Sequence, residues 1–153
     1  MNGGFILNSP EFVLDKVLEN DSIYIGQFEL CQFRLINNDA WTWFLLVPMR
    51  ANITEIFNLS VADRYYLMDE INAVSKLIES FGSYEKINIG ALGNIVRQFH
   101  THVIARKVGD AGWPGPVWGV DAGKPYTEQA VSDIIARIKA CISDDPSIHL
   151  NMD

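Results

Sequence analysis

Two stretches of the chain repeat their apolar residues at helical spacing, and five shorter ones read as strands. Leu67, Ile71, Val74 and Ile78 recur at intervals of four, three and four, which puts one apolar stripe along a helix from about 61 to 81. Ser60 is placed to cap its start and Gly82 to end it. Thr127 caps a second helix, with Val131, Ile134, Ile135 and Ile138 on its buried side. Segments 22–28, 31–36, 43–49, 86–91 and 99–106 are strand-length and apolar or alternating. Asn37, Asn38 and Asp39 make a turn between the second and third of these, because Asn and Asp tolerate a left-handed backbone. Near the start, Ser9 and Pro10 precede Glu11, Phe12, Leu14, Val17 and Leu18, a pattern that predicts a short helix capped by Ser9. Segment 109–125, rich in Gly and Pro, is a loop carrying Trp113 and Trp118. After Ser143 the chain turns polar and is expected to be loose. Strands and helices joined by short links predict an α+β fold, one antiparallel sheet with helices packed on it. A single domain over 1–143 with a polar tail over 144–153 is the expected organisation.

Composition changes this picture mainly by exclusion. At 153 residues, 48% hydrophobic and 20% charged, the chain can bury a core of ordinary size. Its longest apolar runs are too short to span a bilayer, and no signal-like segment opens the sequence, so no membrane association is expected. Cys31 and Cys141 form no paired spacing, which suits a reducing, cytoplasmic location. Twelve basic against 19 acidic residues give a net charge of −7, which argues against nucleic-acid binding. A small phosphorylated ligand stays compatible, provided histidines and backbone amides hold it.

The informative segment is Gly93-Asn94-Ile95-Val96-Arg97-Gln98-Phe99-His100-Thr101-His102-Val103-Ile104. On a strand, Gln98, His100 and His102 share one face at intervals of about 6.5–7 Å. Phe99 and Val103 point to the core, with Thr101 the odd member of that face. On spacing alone, a polar strand edge is the favoured reading of the two histidines, ahead of two metal ligands. A metal site lacks an obvious third ligand: His149, the remaining histidine, falls in the expected tail. Arg97, Arg106 and Lys107 flank the strand and read as solvated surface, Ile95 as core packing, and Trp41 and Trp43 as core or interface.

This segment resembles the histidine triad (HIT) motif, His-φ-His-φ-His-φ-φ with φ hydrophobic. Residues 31–50, ending in Leu45-Leu46-Val47-Pro48-Met49-Arg50, are similar to the hairpin on the ligand side of that family. Ala111-Gly112-Trp113-Pro114-Gly115-Pro116-Val117-Trp118-Gly119 looks like the loop of a bacterial, diadenosine tetraphosphate hydrolase-like branch. The similarity spans about residues 15–120. It implies a HIT-like fold with about five antiparallel strands, two sheets joining across a homodimer, and a nucleotide phosphohydrolase or nucleotidyl transferase. Substrates would be dinucleoside polyphosphates or nucleoside phosphoramidates and esters.

By the same resemblance His100 is the nucleophile, oriented through the backbone carbonyl of Gln98, and His102 contacts phosphate oxygens. Gln98 stands at the first triad position, where glutamine keeps a donor amide but carries no charge. Asn94 matches a phosphate-contacting amide, and Ile95 falls where relatives carry a hydroxyl. Asn37 matches a sugar-contacting residue or serves as a turn residue. Asn88 matches an asparagine near the phosphates, and Trp113 is a candidate to close over a base. No tightly bound cofactor or metal is implied, although Mg²⁺ could arrive with substrate phosphates. Two other readings stay open: a nucleotide-binding regulator with little catalysis, motivated by Gln98 and Ile95, and a metal protein using His100 and His102. The galactose-1-phosphate uridylyltransferase branch is disfavoured, because its glutamine follows the nucleophile whereas Gln98 precedes it.

Overall fold

A computed structural model describes residues 11–153. Its elements run α1 (Lys16–Asp21), β1 (Ser22–Gln27), β2 (Cys31–Ile36), β3 (Trp43–Pro48), α2 (Val61–Ser80), β4 (Lys86–Gly90), β5 (Thr101–Arg106) and α3 (Glu128–Asp144), with a short 3₁₀ turn at Ile56–Asn58. The five strands form one antiparallel sheet in the order β1-β2-β3-β5-β4. The α+β fold expected from periodicity is the fold observed. No described helix is long and apolar enough to cross a membrane.

Register divides the sheet into two unlike faces. Leu35, Phe44, Val103 and Ile89 stand in one cross-strand row, and Phe33, Leu46 and Thr101 in the next. On this face α2 buries Leu67, Ile71, Val74 and Ile78, the stripe read from the sequence, and α3 contributes Ile138. Glu70 of α2 accepts from the backbone N–H of Leu30 (2.7 Å) and Cys31 (3.0 Å), which ties the helix to the β1–β2 turn. On the opposite face lie two smaller apolar groups. Leu18, Leu45, Val47 and Val96 form one, with Phe12 and Leu14 packed on it. Trp41, Ile104 and Val117 form the other, with Trp43 and Trp118 beside them. The motif histidines lie between these groups.

Three expectations are corrected. The first helix begins at Lys16, and Asp15 rather than Ser9 caps it, its carboxylate accepting from Val17 N at 2.8 Å. Ser9 and Pro10 lie outside the described residues. The C-terminal segment packs instead of fraying: Gln27 and Asn151 exchange backbone hydrogen bonds of 2.8 and 2.9 Å, and Ile148 is buried. Ile148, Leu150 and Met152 alternate at strand period against the core, a short pattern hidden by polar neighbours. Finally, β5 starts at Thr101, two residues later than expected. Phe99 N donates to Ile53 O at 2.9 Å instead of extending the ladder. Because β4 ends at Gly90 opposite His102, the chain over 91–100 leaves the sheet there and opens a cleft.

Candidate active site

The backbone that departs from β5 delivers His100 to the wall of that cleft. Only 5% of the residue is exposed, and its Nδ1 lies 2.7 Å from the carbonyl oxygen of Gln98. A carbonyl only accepts, so Nδ1 carries the proton, and in the neutral ring Nε2 keeps its lone pair. The cleft encloses about 390 Å³ and is lined by Thr54, Glu55, Gly93, Asn94, Arg97 and His100 among others. That volume suits one small ligand. Asn94 is therefore brought together with His100 as expected. Arg97 is exposed, as read from the sequence, but stands on the cleft wall, where it supplies a positive charge.

His102 sits behind His100, with ring centroids 4.9 Å apart and planes nearly perpendicular. It is buried beneath indoles: Trp43 and Trp118 each place a ring centroid 5.4 Å from its own. Trp43 Nε1–H donates to His102 Nδ1 at 2.9 Å. Burial first, and the neighbouring His100 second, push the His102 pKa from its ordinary 6.5 down to about 3. His102 is thus a neutral imidazole at physiological pH. Among the described residues, Nε2 of neither motif histidine is hydrogen-bonded to protein.

Gln98 does something the strand pattern did not predict. Its backbone orients His100, but its side chain turns away from His102 and grips the segment before α1. Oε1 accepts from Asp15 N at 2.8 Å and Nε2 donates to Val13 O at 2.8 Å. An amide satisfies both bonds at once, as a peptide group would in a sheet ladder. The residue at the first triad position thereby holds the strap that carries Phe12 and Leu14 over Leu45 and Val47.

Three other expected site residues make structural contacts away from the cleft. Asn37, just past the end of β2, accepts on Oδ1 from Tyr126 N at 2.9 Å, a bond that pins the turn. Asn88 Oδ1 accepts from Arg106 Nη1 at 3.0 Å and does not line the cleft. Trp113 covers the Arg106 guanidinium, 5.6 Å from its ring centroid. Ile95, expected in the core, is 91% exposed because 91–98 lies outside the sheet. Arg106 is the reverse error: read as surface, it is 1% exposed. It makes paired bonds of 2.8 and 2.7 Å to Asp110, which hold that carboxyl below the usual range, and a third to Gly115 O. This buried pair fastens the tryptophan loop to β5. Lys107 is exposed as expected.

Trp43 and Trp118 are the site residues that sequence reasoning undervalued. Trp43 shares a sheet face with His102 through the β3–β5 register, with Leu45 opposite His102, and that register is not written in either strand alone. A second, apolar cleft of about 370 Å³ lies between α2 and the C-terminal segment, on the sheet's other side. Among the described residues no three His, Cys, Asp or Glu side chains are grouped to hold a metal ion, so His100 and His102 lack a third ligand.

Comparison with known proteins agrees with this geometry. A protein-family model described as HIT domain matches residues 17–109. Among solved structures, a histidine triad protein from Sinorhizobium meliloti 1021 is 50% identical, with 84% of this chain and 96% of that one covered and a TM-score of 0.81. Histidine triad proteins from Bradyrhizobium japonicum (87% of this chain and 99% of that one covered) and Marinobacter aquaeolei VT8 (88% and 98%) are each 38% identical, with TM-scores of 0.83. A hypothetical histidine triad nucleotide-binding protein from Sulfolobus tokodaii, 13% identical over 83% of this chain and 89% of that one, shares the fold at a TM-score of 0.63. No curated protein matches the chain.

The depressed pKa of His102 has a consequence for stability. Unfolding lets the ring bind a proton that the folded state refuses between pH 6.5 and about 3. Stability is then complete above 6.5 and falls as the pH drops through that window. Urea midpoints measured at pH 7.5 and 4.5 should fall less in His102→Gln than in the parent; equal falls would contradict the assignment.

Proposed function

Because the chain belongs to the HIT family, we propose that it is a nucleotide hydrolase or nucleotidyl transferase whose nucleophile is His100. The single observation that supports this most strongly is the Nδ1–H bond to the Gln98 carbonyl, which in the neutral ring puts the lone pair on Nε2 of a nearly buried imidazole at a cleft. Nε2 forms a bond to an α-phosphorus while the bond from phosphorus to the leaving group breaks. The leaving group departs with the electron pair and takes a proton from solvent. Water then attacks the nucleotidyl-histidine, the N–P bond breaks, and the imidazole lone pair is restored; another acceptor in place of water makes the protein a transferase. Imidazole serves both halves well, as a nucleophile near neutral pH and a leaving group afterwards.

Asn94 and Arg97 are the proposed phosphate contacts, an amide donor and a cation on the cleft wall. His102 is proposed to stabilise charge on the phosphoryl oxygens. Dinucleoside polyphosphates and nucleoside phosphoramidates or esters are the proposed substrates, after the diadenosine tetraphosphate hydrolase-like branch that the tryptophan loop resembles. Ile95 offers no hydroxyl to a leaving oxygen, which favours substrates whose leaving group needs little help. Glu55 is the one carboxylate lining the cleft, so Mg²⁺ is proposed to arrive on substrate phosphates. Two unpaired cysteines fit a cytoplasmic location.

A homodimer is also proposed. β4 is a sheet edge carrying an exposed Ile89, and Val61, Tyr65 and Met68 leave an apolar face of α2 in solvent.

Turnover of a nucleotide panel should fall by about a thousandfold or more in His100→Asn or His100→Ala, with unchanged circular dichroism. Full activity in either variant would defeat the assignment, and tight nucleotide binding without turnover in the parent would make the protein a nucleotide-binding regulator instead. Light scattering should give twice the 17.2 kDa chain mass; a monomer at micromolar concentration would rule out the dimer.

A further inference from the structure

The indole beside His102 sets a restriction on that histidine that the nucleophilic role of His100 does not require. An indole N–H can only donate. At 2.9 Å from Trp43 Nε1, His102 Nδ1 must therefore be the unprotonated nitrogen, and a neutral ring then carries its hydrogen on Nε2. The geometry leaves the ring little freedom to escape this state. Trp43 meets it edge-on from β3, Trp118 from the loop, and His100 from its own strand run, all with centroids within 5.4 Å. Trp43 and Trp118 also brace one another at 6.3 Å and 88°. Gly90, directly opposite His102 on β4, has no side chain because the Trp118 ring takes the space; a Cβ there would lie 2.9 Å from it. The cage is thus built from three elements around one ring.

We propose that Trp43 is a positioning residue that fixes His102 as the neutral Nε2–H tautomer, so that His102 serves the reaction as a hydrogen-bond donor and never as its acid or base. This rests on the nucleotide-transfer reading above. A donor locked in one orientation needs no reorganisation as charge builds on phosphoryl oxygen. Protonating Nδ1 would force two donors against each other, so the ring stays uncharged while the solution is acidified. The charged or titratable groups around it are few. His100 is its neighbour, the Arg106–Asp110 pair lies further along the same face, and Arg34 stands in the same row two strands away. Asp15 sits on the strap held by Gln98. Trp43, Leu45, Gly90 and Trp118, the nearest residues from the other elements, bring none.

The tautomer can be read without substrate. Long-range ¹H–¹⁵N correlation on the three histidines, assigned by His100→Gln and His102→Gln, should show His102 Nδ1 unprotonated and Nε2 protonated, unchanged from pH 8 to 5. Trp43→Phe keeps an aromatic ring and removes the donor. It should mix the two tautomers, raise the His102 pKa, and add a low-pH limb to kcat/KM. Its kcat should fall about tenfold with KM little changed, the kinetic worth of one ordinary hydrogen bond. A protonated Nδ1 in the parent, a His102 ring that titrates above pH 5, or a Trp43→Phe variant with unchanged tautomer and pH profile would each overturn the proposal. If His100 were not the nucleophile, the kinetic readouts would fail while the spectrum stayed as described, so the two failures are distinguishable.

Discussion

The bond from His100 Nδ1–H to the carbonyl of Gln98 is the constraint on which the site depends. It is a main-chain contact, so it tolerates any side chain at position 98. It decides which ring nitrogen keeps its lone pair, and it can form only because the chain leaves the sheet between β4 and β5. Were β5 to begin at Phe99, as alternation suggests, His100 would be a ladder residue. Instead the ladder starts at Thr101, and the freed backbone over 91–100 both aims the imidazole and opens the space in front of it.

The rest of the sheet supports that local arrangement from two directions. On the helix face, α2 and α3 bury the apolar rows of β2, β3 and β5 and keep the strands in register. On the other face the strap before α1 and the tryptophan loop close over either side of the histidines. Gln98 fastens the first through two hydrogen bonds, and Arg106 with Asp110 fastens the second. One run of nine residues, 98–106, thus carries the proposed nucleophile, its neutral partner and both fastenings. A glutamine at the first triad position is accounted for by this work: an amide can donate and accept side by side to a backbone segment, and an imidazole cannot match that geometry with a single ring.

Much of this was legible in the sequence where one element determined its own behaviour. The stripe of Leu67, Ile71, Val74 and Ile78 fixed the α2 face, Ser60 and Thr127 capped the helices they precede, and Asn94 and His100 were placed at one site by their spacing and family likeness. What was not legible depended on partners outside the residue's own element. Arg106 looks like surface until Asp110, Asn88 and Gly115 are folded around it. Ile95 looks like core until the strand is seen to start after it. Asn37 and Asn88 have the right chemistry for ligand contacts, and the fold also gives each a structural partner, Tyr126 and Arg106, that the sequence alone does not show. Trp43 shows no role at all without the register that brings it to His102.

The central claim is that one uncharged imidazole nitrogen forms a bond to phosphorus. Rapid alkaline quench of the parent protein during turnover of a dinucleoside polyphosphate, followed by peptide mass mapping, reads this directly. The account predicts a nucleotidyl mass added at His100 and nowhere else. A competent turnover reaction that leaves His100 unmodified, or an adduct found on His102, would contradict it.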